Sequence, residues 1–143
     1  MDANSSETRL SGRCLCGAVT FTAVPVHGMH ACHCERCRRW SGGVYLGVDC
    51  GDSVEVTGAQ ALTAYESSDW AERQFCRTCG ASLFWRLKSG GMTVVSAQAF
   101  DDPSVFAFVS EIYVDAKPDN YAFAGDRVRL TGAEVEARFA SET

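Results

Sequence analysis

The chain has 143 residues, of which 46% are apolar and 22% charged, with 13 glycines and 3 prolines; this is the composition of one globular domain and excludes collagen, coiled coil and disorder. A net charge of −5 lacks the basic field on which nucleic acid or anionic lipid binding rests, so neither is expected as a partner. The longest apolar stretch, residues 100–113, is broken by Asp101, Asp102, Ser104, Ser110 and Glu111, far short of the ~20 residues that span a bilayer, and no membrane association is expected.

The N-terminal residues Met1-Asp2-Ala3-Asn4-Ser5-Ser6-Glu7 have neither the basic start nor the apolar stretch of a secretion signal, so a cytoplasmic setting is expected. Residues 1–11 read as a frayed tail and 12–143 as a single domain. Strands are predicted over 17–24, 44–49, 53–57, 61–66, 72–76, 81–87, 92–99 and 105–114, where β-branched and aromatic residues recur, several with period two. Turn signals such as Gly42-Gly43, Thr57-Gly58, Ser89-Gly90-Gly91 and Asp101-Asp102-Pro103 separate them. Helix is predicted only over Glu35 to Trp40 and over Ala133 to Ala140, after Gly132. The fold class is all-β with short helical turns.

Eight cysteines in a chain with no visible secretion signal point to metal or catalysis rather than to disulfides. Seven fall in three tight groups, Cys14-Leu15-Cys16-Gly17, Cys32-His33-Cys34-Glu35-Arg36-Cys37 and Cys76-Arg77-Thr78-Cys79-Gly80, while Cys50 stands alone. Packing gives no reason for such clustering, whereas a tetrahedral zinc ion needs paired sulfurs from short turns or from one face of an extended segment. Gly17 and Gly80 supply positive-φ turn positions after their pairs, so Cys14, Cys16, Cys76 and Cys79 make a closed four-thiolate set. Cys32, Cys34 and Cys37 then remain as a three-thiolate set with one position open, the pattern of a catalytic rather than a structural site. Cys50, His27, His30 or His33 would close it. His33, between two ligands on an extended segment, points away; His30, two residues before Cys32, faces the same way as Cys32.

Four thiolates with a dication carry −2 and three carry −1, and Arg13, Arg36, Arg38, Arg39, Arg73 and Arg77 each lie within three residues of a proposed ligand. Local compensation of thiolate charge is the plain meaning. The sharper one is that Arg36, Arg38 and Arg39 also grip a substrate carboxylate, which the guanidinium fork matches. Glu35 reads either as a proton shuttle or as a helix-start carboxylate, and Trp40 and Tyr45 as pocket walls or core.

The order Gly12-x-Cys14-x-Cys16-Gly17-x-Val19-x-Phe21, Cys32-His33-Cys34-x-x-Cys37-Arg38-x-x-Ser41-Gly42 and Arg73-x-Phe75-Cys76-x-x-Cys79-Gly80-x-x-Leu83 resembles the glutathione-dependent formaldehyde-activating family, the CENP-V/GFA domain. Ala99-Phe100-Asp101-Asp102-Pro103 and Glu111-Ile112-Tyr113-Val114 with Lys117 extend the resemblance over roughly residues 12–121. It implies a β-tent (Mss4-like) fold, a structural zinc on Cys14, Cys16, Cys76 and Cys79, and a more labile second zinc on Cys32, Cys34 and Cys37. It also implies a carbon–sulfur lyase or synthase acting on a small thiol adduct, as when glutathione adds to formaldehyde to give S-hydroxymethylglutathione, with Ser41 and Gly42 beside the substrate. Glu111 stands where the family often has His, and Tyr121 where it often has Trp. The alternative is a non-catalytic zinc-stabilised binding module with both metals structural. A reversible disulfide at Cys34-x-x-Cys37 or Cys76-x-x-Cys79 is a third reading, disfavoured by the extra clustered ligands.

Overall fold

The computed structural model describes residues 8–142, with side chains through residue 139. It is mostly β-sheet with two short helices. In chain order the elements are β1 (Leu10–Arg13), β2 (Thr20–Ala23), β3 (Met29–Cys32), α1 (Glu35–Ser41), β4 (Tyr45–Asp49), β5 (Glu55–Thr57), β6 (Leu62–Tyr65), β7 (Ala71–Cys76), β8 (Ser82–Leu87), β9 (Thr93–Ser96), β10 (Phe108–Ile112), β11 (Val128–Leu130) and α2 (Gly132–Glu142). Most of the tail expected over residues 1–11 lies outside the described residues, and Leu10 and Ser11 already belong to β1.

The strands form two sheets, a small one in the order β1-β2-β5 and a large one in the order β11-β10-β3-β4-β9-β8-β7-β6. Pairing is antiparallel except where β10 runs parallel to both β3 and β11. Both sheets contribute to the main core, in which Phe21 of β2 meets Phe84 of β8 and Phe100 edge-on, each at 5.2 Å between ring centroids. Edge-to-face stacking adds to the burial of such rings. Gly12 permits the close approach: a Cβ there would run into the Phe21 ring and the Ala99 carbonyl.

Several expected strands are shorter in the fold, for local reasons. Gly17, at φ 82°, closes a turn by donating its N–H to the Cys14 carbonyl, so the strand expected from residue 17 starts at Thr20. Asp102 accepts from the Ser104 N–H and Pro103 opens a helical turn, which delays the strand expected from 105 until Phe108. A second helical turn, Ala97–Ala99, ends β9 early. The two helices fall where they were expected.

Three strands were not expected from the sequence, β1, β3 and β11. Met29-His30-Ala31-Cys32 contains no β-branched or aromatic residue except the imidazole. Its extended form comes from pairing on both sides, to β4 and to β10, a case of tertiary pairing overriding propensity. Because β3 is internal to the sheet and ends at Cys32, it delivers the second cysteine group to a fixed point on the large sheet. Among the described residues no helix is long and apolar enough to cross a membrane.

Candidate metal centres

The first centre gathers sulfurs from two turns of the same design. In one, Cys14 N–H bonds the Val19 carbonyl and Val19 N–H bonds Cys14 Sγ at 3.3 Å. In the other, Cys76 N–H bonds the Ala81 carbonyl, Gly80 N–H bonds the Cys76 carbonyl, and Cys79 N–H reaches Cys76 Sγ at 3.5 Å. Gly17 and Gly80 have φ of 82° and 80°, the conformation that side chains resist. The four sulfurs of Cys14, Cys16, Cys76 and Cys79 lie within 4.8 Å of one another, with Cys14 to Cys16 at 3.7 Å and Cys16 to Cys76 at 3.8 Å. A tetrahedron with ~2.3 Å zinc–sulfur arms has edges of ~3.8 Å, so the donor set fits a zinc-sized ion.

The second centre is carried by the end of β3 and the start of α1. Cys34 is the N-cap of α1, its Sγ accepting from the Cys37 N–H at 3.3 Å, and Gly42, at φ 77°, caps the other end. One helical turn thus sets Cys34 and Cys37 on the same side as Cys32, and these three sulfurs also lie within 4.8 Å of one another. No fourth cysteine, histidine or carboxylate joins this second group among the described residues. Cys50 is buried in the main core, its thiol directed to the Val48 carbonyl, and His30 is outside the group. Contact with Cys32 and then Cys37 draws the Cys34 thiol down, while Cys32 is pushed up by the same contacts. Ionising all three sulfurs together takes a dication. The donor set therefore suits a metal as three ligands with a vacancy. All eight cysteines are free thiols.

A second small core surrounds this centre. Tyr45 and Val94 pack on Cys32 and Cys37, with Trp40, Trp85 and Tyr113 against them. Tyr113, with φ of 58°, is the only non-glycine residue at positive φ among the described residues, a strained backbone of the kind that gathers at functional sites.

Between Cys32 and Cys34, His33 turns away from the sulfur group. It is 1% exposed, with Nε2 2.9 Å from Glu111 Oε1 and Nδ1 3.1 Å from the Tyr121 hydroxyl. Glu111 Oε2 accepts from Arg127 at 2.7 Å and Arg129 at 3.2 Å. Burial pushes the Glu111 carboxyl up, and the bonds from His33 and Arg127 with the charge of Arg129 outweigh it, leaving the group below its usual range. His33, Arg38, Gly42, Tyr121 and Phe123 are among the residues lining a cavity of about 400 Å³. A neighbouring cavity of about 510 Å³ has Arg39, Ser41 and Gly42 on its wall.

The six arginines near the ligands divide. Arg36 is exposed and bonds the Ser67 carbonyl, and Arg39 is exposed and pairs with Glu35. Ser41 Oγ bonds back to the Cys37 and Gly43 carbonyls. Arg13 bonds the carbonyls of Cys14 and Leu15 rather than a sulfur. Arg73 is the one whose guanidinium reaches a cysteine sulfur, and the sulfur is Cys37 of the second set, not a ligand of the set to which its sequence position relates it.

Residues 9–116 match the sequence model of the family described as glutathione-dependent formaldehyde-activating enzyme. The chain belongs to this family. An uncharacterized lyase of Schizosaccharomyces pombe is 32% identical over 126 residues, covering 87% of this family member and 92% of the relative. Candidate glutathione-dependent formaldehyde-activating enzymes of Halomonas elongata and Penicillium rubens are 34% and 31% identical, over 52% and 70% of this chain. The matched segments take in 54% and 60% of those two relatives, little more than half their length. A crystal structure of a Rhodobacter sphaeroides protein shares the fold, with a TM-score of 0.57 at 23% identity over 85% of this chain and 100% of that one. Family membership and the lyase-named relative support an enzyme of the formaldehyde-activating or lyase type. Within this family member, the resemblance read from the sequence rested on the cysteines that form both sulfur clusters. The Glu111–His33–Tyr121 chain was missed, since its members are 78 and 88 residues apart.

Proposed function

We propose that this chain is a zinc-dependent carbon–sulfur lyase or synthase with a β-tent (Mss4-like) fold. Cys14, Cys16, Cys76 and Cys79 hold a structural zinc, and Cys32, Cys34 and Cys37 hold a second at which a small thiol, of which glutathione is the leading candidate, exchanges with its aldehyde adduct. The observation that carries this reading is the difference between the two donor sets, one complete with four sulfurs and one stopping at three. A zinc ion with a free position supplies a place where a thiol is held as thiolate near neutral pH.

In the synthetic direction the thiol sulfur forms the bond to the aldehyde carbon, the carbonyl π pair moves to oxygen, and the proton given up by the thiol ends there; cleavage reverses each movement. The chain's own residues position the partners. Arg38, on the cavity wall with His33 and Tyr121, is the candidate for a substrate carboxylate, with Arg36 and Arg39 outside that cavity and Ser41 and Gly42 shaping the loop at its edge. Glu111, held ionised, accepts from His33 Nε2, and His33 Nδ1 is hydrogen-bonded to the Tyr121 hydroxyl.

The adduct of glutathione and formaldehyde also forms uncatalysed, so the test is the rate of exchange between free thiol and adduct, followed by magnetisation transfer with increasing protein. The zinc-loaded chain is expected to accelerate exchange and Cys34→Ser to abolish the acceleration. A rate equal to the uncatalysed one for glutathione and for other small thiols, at every protein concentration, contradicts the proposal and leaves the binding-module alternative.

A further inference from the structure

Arg73 is 6% exposed, on β7, with its guanidinium stacked 5.1 Å from the Trp40 ring centroid and Nη1 3.6 Å from Cys37 Sγ. Its Nε is buried without a hydrogen-bond partner, and among the described residues no carboxylate lies within ion-pair distance of it. A guanidinium stays protonated in a protein, and burying one without an opposite charge is costly. The nearest group able to supply that charge is the sulfur set of Cys32, Cys34 and Cys37.

We propose that Arg73 is the positioning residue of the second centre: a fixed buried cation that favours the ionised, metal-loaded state of the three cysteines and leaves the loaded centre neutral. The proposal rests on the two-centre reading above. Three thiolates with a dication together carry −1. Arg73, with Nη1 3.6 Å from Cys37 Sγ, compensates that one charge. A fourth, thiolate ligand then takes the centre only to −1, whereas without Arg73 it would reach −2, the charge of the closed set. The closed set has peptide N–H bonds from Val19 and Cys79 instead of a cation. This difference makes the open centre the one suited to an exchangeable anionic ligand.

The test is a cobalt(II) titration of the full chain, read by thiolate-to-metal charge-transfer absorption, with a chromophoric chelator competing for each ion. Arg73→Gln and Arg73→Met are the neutral variants, the latter chosen because an apolar side chain of similar length is often tolerated where a buried charge stood. Arg73→Lys keeps the charge. Both neutral variants are expected to bind the second ion roughly 10–100-fold more weakly, the usual cost of losing a group that supports metal ligands, with the first ion's affinity unchanged and Arg73→Lys restoring most of the loss. Neutral variants that hold the second ion as tightly as the wild type overturn the proposal. Equal weakening of both ions, or a loss in Arg73→Lys as large as in Arg73→Met, also overturns it and makes Arg73 a packing residue. A wild-type chain that takes up only one ion overturns the two-centre reading as well, an outcome visible before any variant is compared.

Discussion

Cys34 has two jobs, as a sulfur donor of the second set and as the N-cap of α1, where it accepts from the Cys37 N–H. A serine hydroxyl caps a helix well, so Cys34→Ser keeps the helix start and removes only the thiolate. Cys76 is fully buried, at the end of β7 and against the main core, and its loss leaves three sulfurs at the first centre. Cys34→Ser is therefore expected to melt near the wild type while losing one ion and the catalysed exchange, and Cys76→Ser to be insoluble or molten; equal, near-native melts for both variants contradict the division. At this scale the cysteines were legible because metal ligands must recur at short spacing. Arg73 was only half legible. It lies three residues from Cys76, but three is an odd number on a regular strand, so the two side chains leave opposite faces, and Arg73 shares its row with Tyr65 and Trp85.

At the level of elements, β10 is the strand on which the second centre leans. It pairs with β3 and β11, and its Glu111 ties His33 of the cysteine segment to Arg127 and to Arg129 of β11. Removing one member of a buried charged set leaves the others desolvated and unpaired, at a cost of about 3–5 kcal/mol. Glu111→Ala is expected to destabilise the fold by that order, which lowers the thermal midpoint by roughly 10–15 °C, and to loosen the second ion without touching the first, measured by calorimetry and metal analysis side by side. A midpoint within error of wild type would mean that the two arginines and the imidazole find other partners. The helices and the long aromatic strands were readable from periodicity and turn residues, whereas Met29–Cys32 was not, since its extension is imposed by neighbours 13 or more residues away in sequence. The same holds for β11, three residues long and placed by β10 alone.

For the whole molecule, the first centre is a clasp between sheets. Cys14 follows β1 of the small sheet and Cys76 ends β7 of the large one, so an ion held there closes a loop of sixty residues on top of the Phe21, Phe84 and Phe100 contacts. Structural zinc contributes directly to folding free energy; stripping it with a strong chelator is expected to unfold the chain cooperatively, while a mild chelator that removes only the second ion leaves the melt nearly unchanged. The family was legible from motif order over most of the chain. The distribution of sulfurs into one closed and one open set follows from which turns the fold brings together. The measurement that tests this account most directly is zinc per chain by elemental analysis on protein purified without chelator, repeated after dialysis against a mild chelator and after addition of glutathione. Two zinc ions, one lost readily and sensitive to thiol, are the predicted result; two ions held equally tightly and indifferent to thiol would contradict an open centre on Cys32, Cys34 and Cys37.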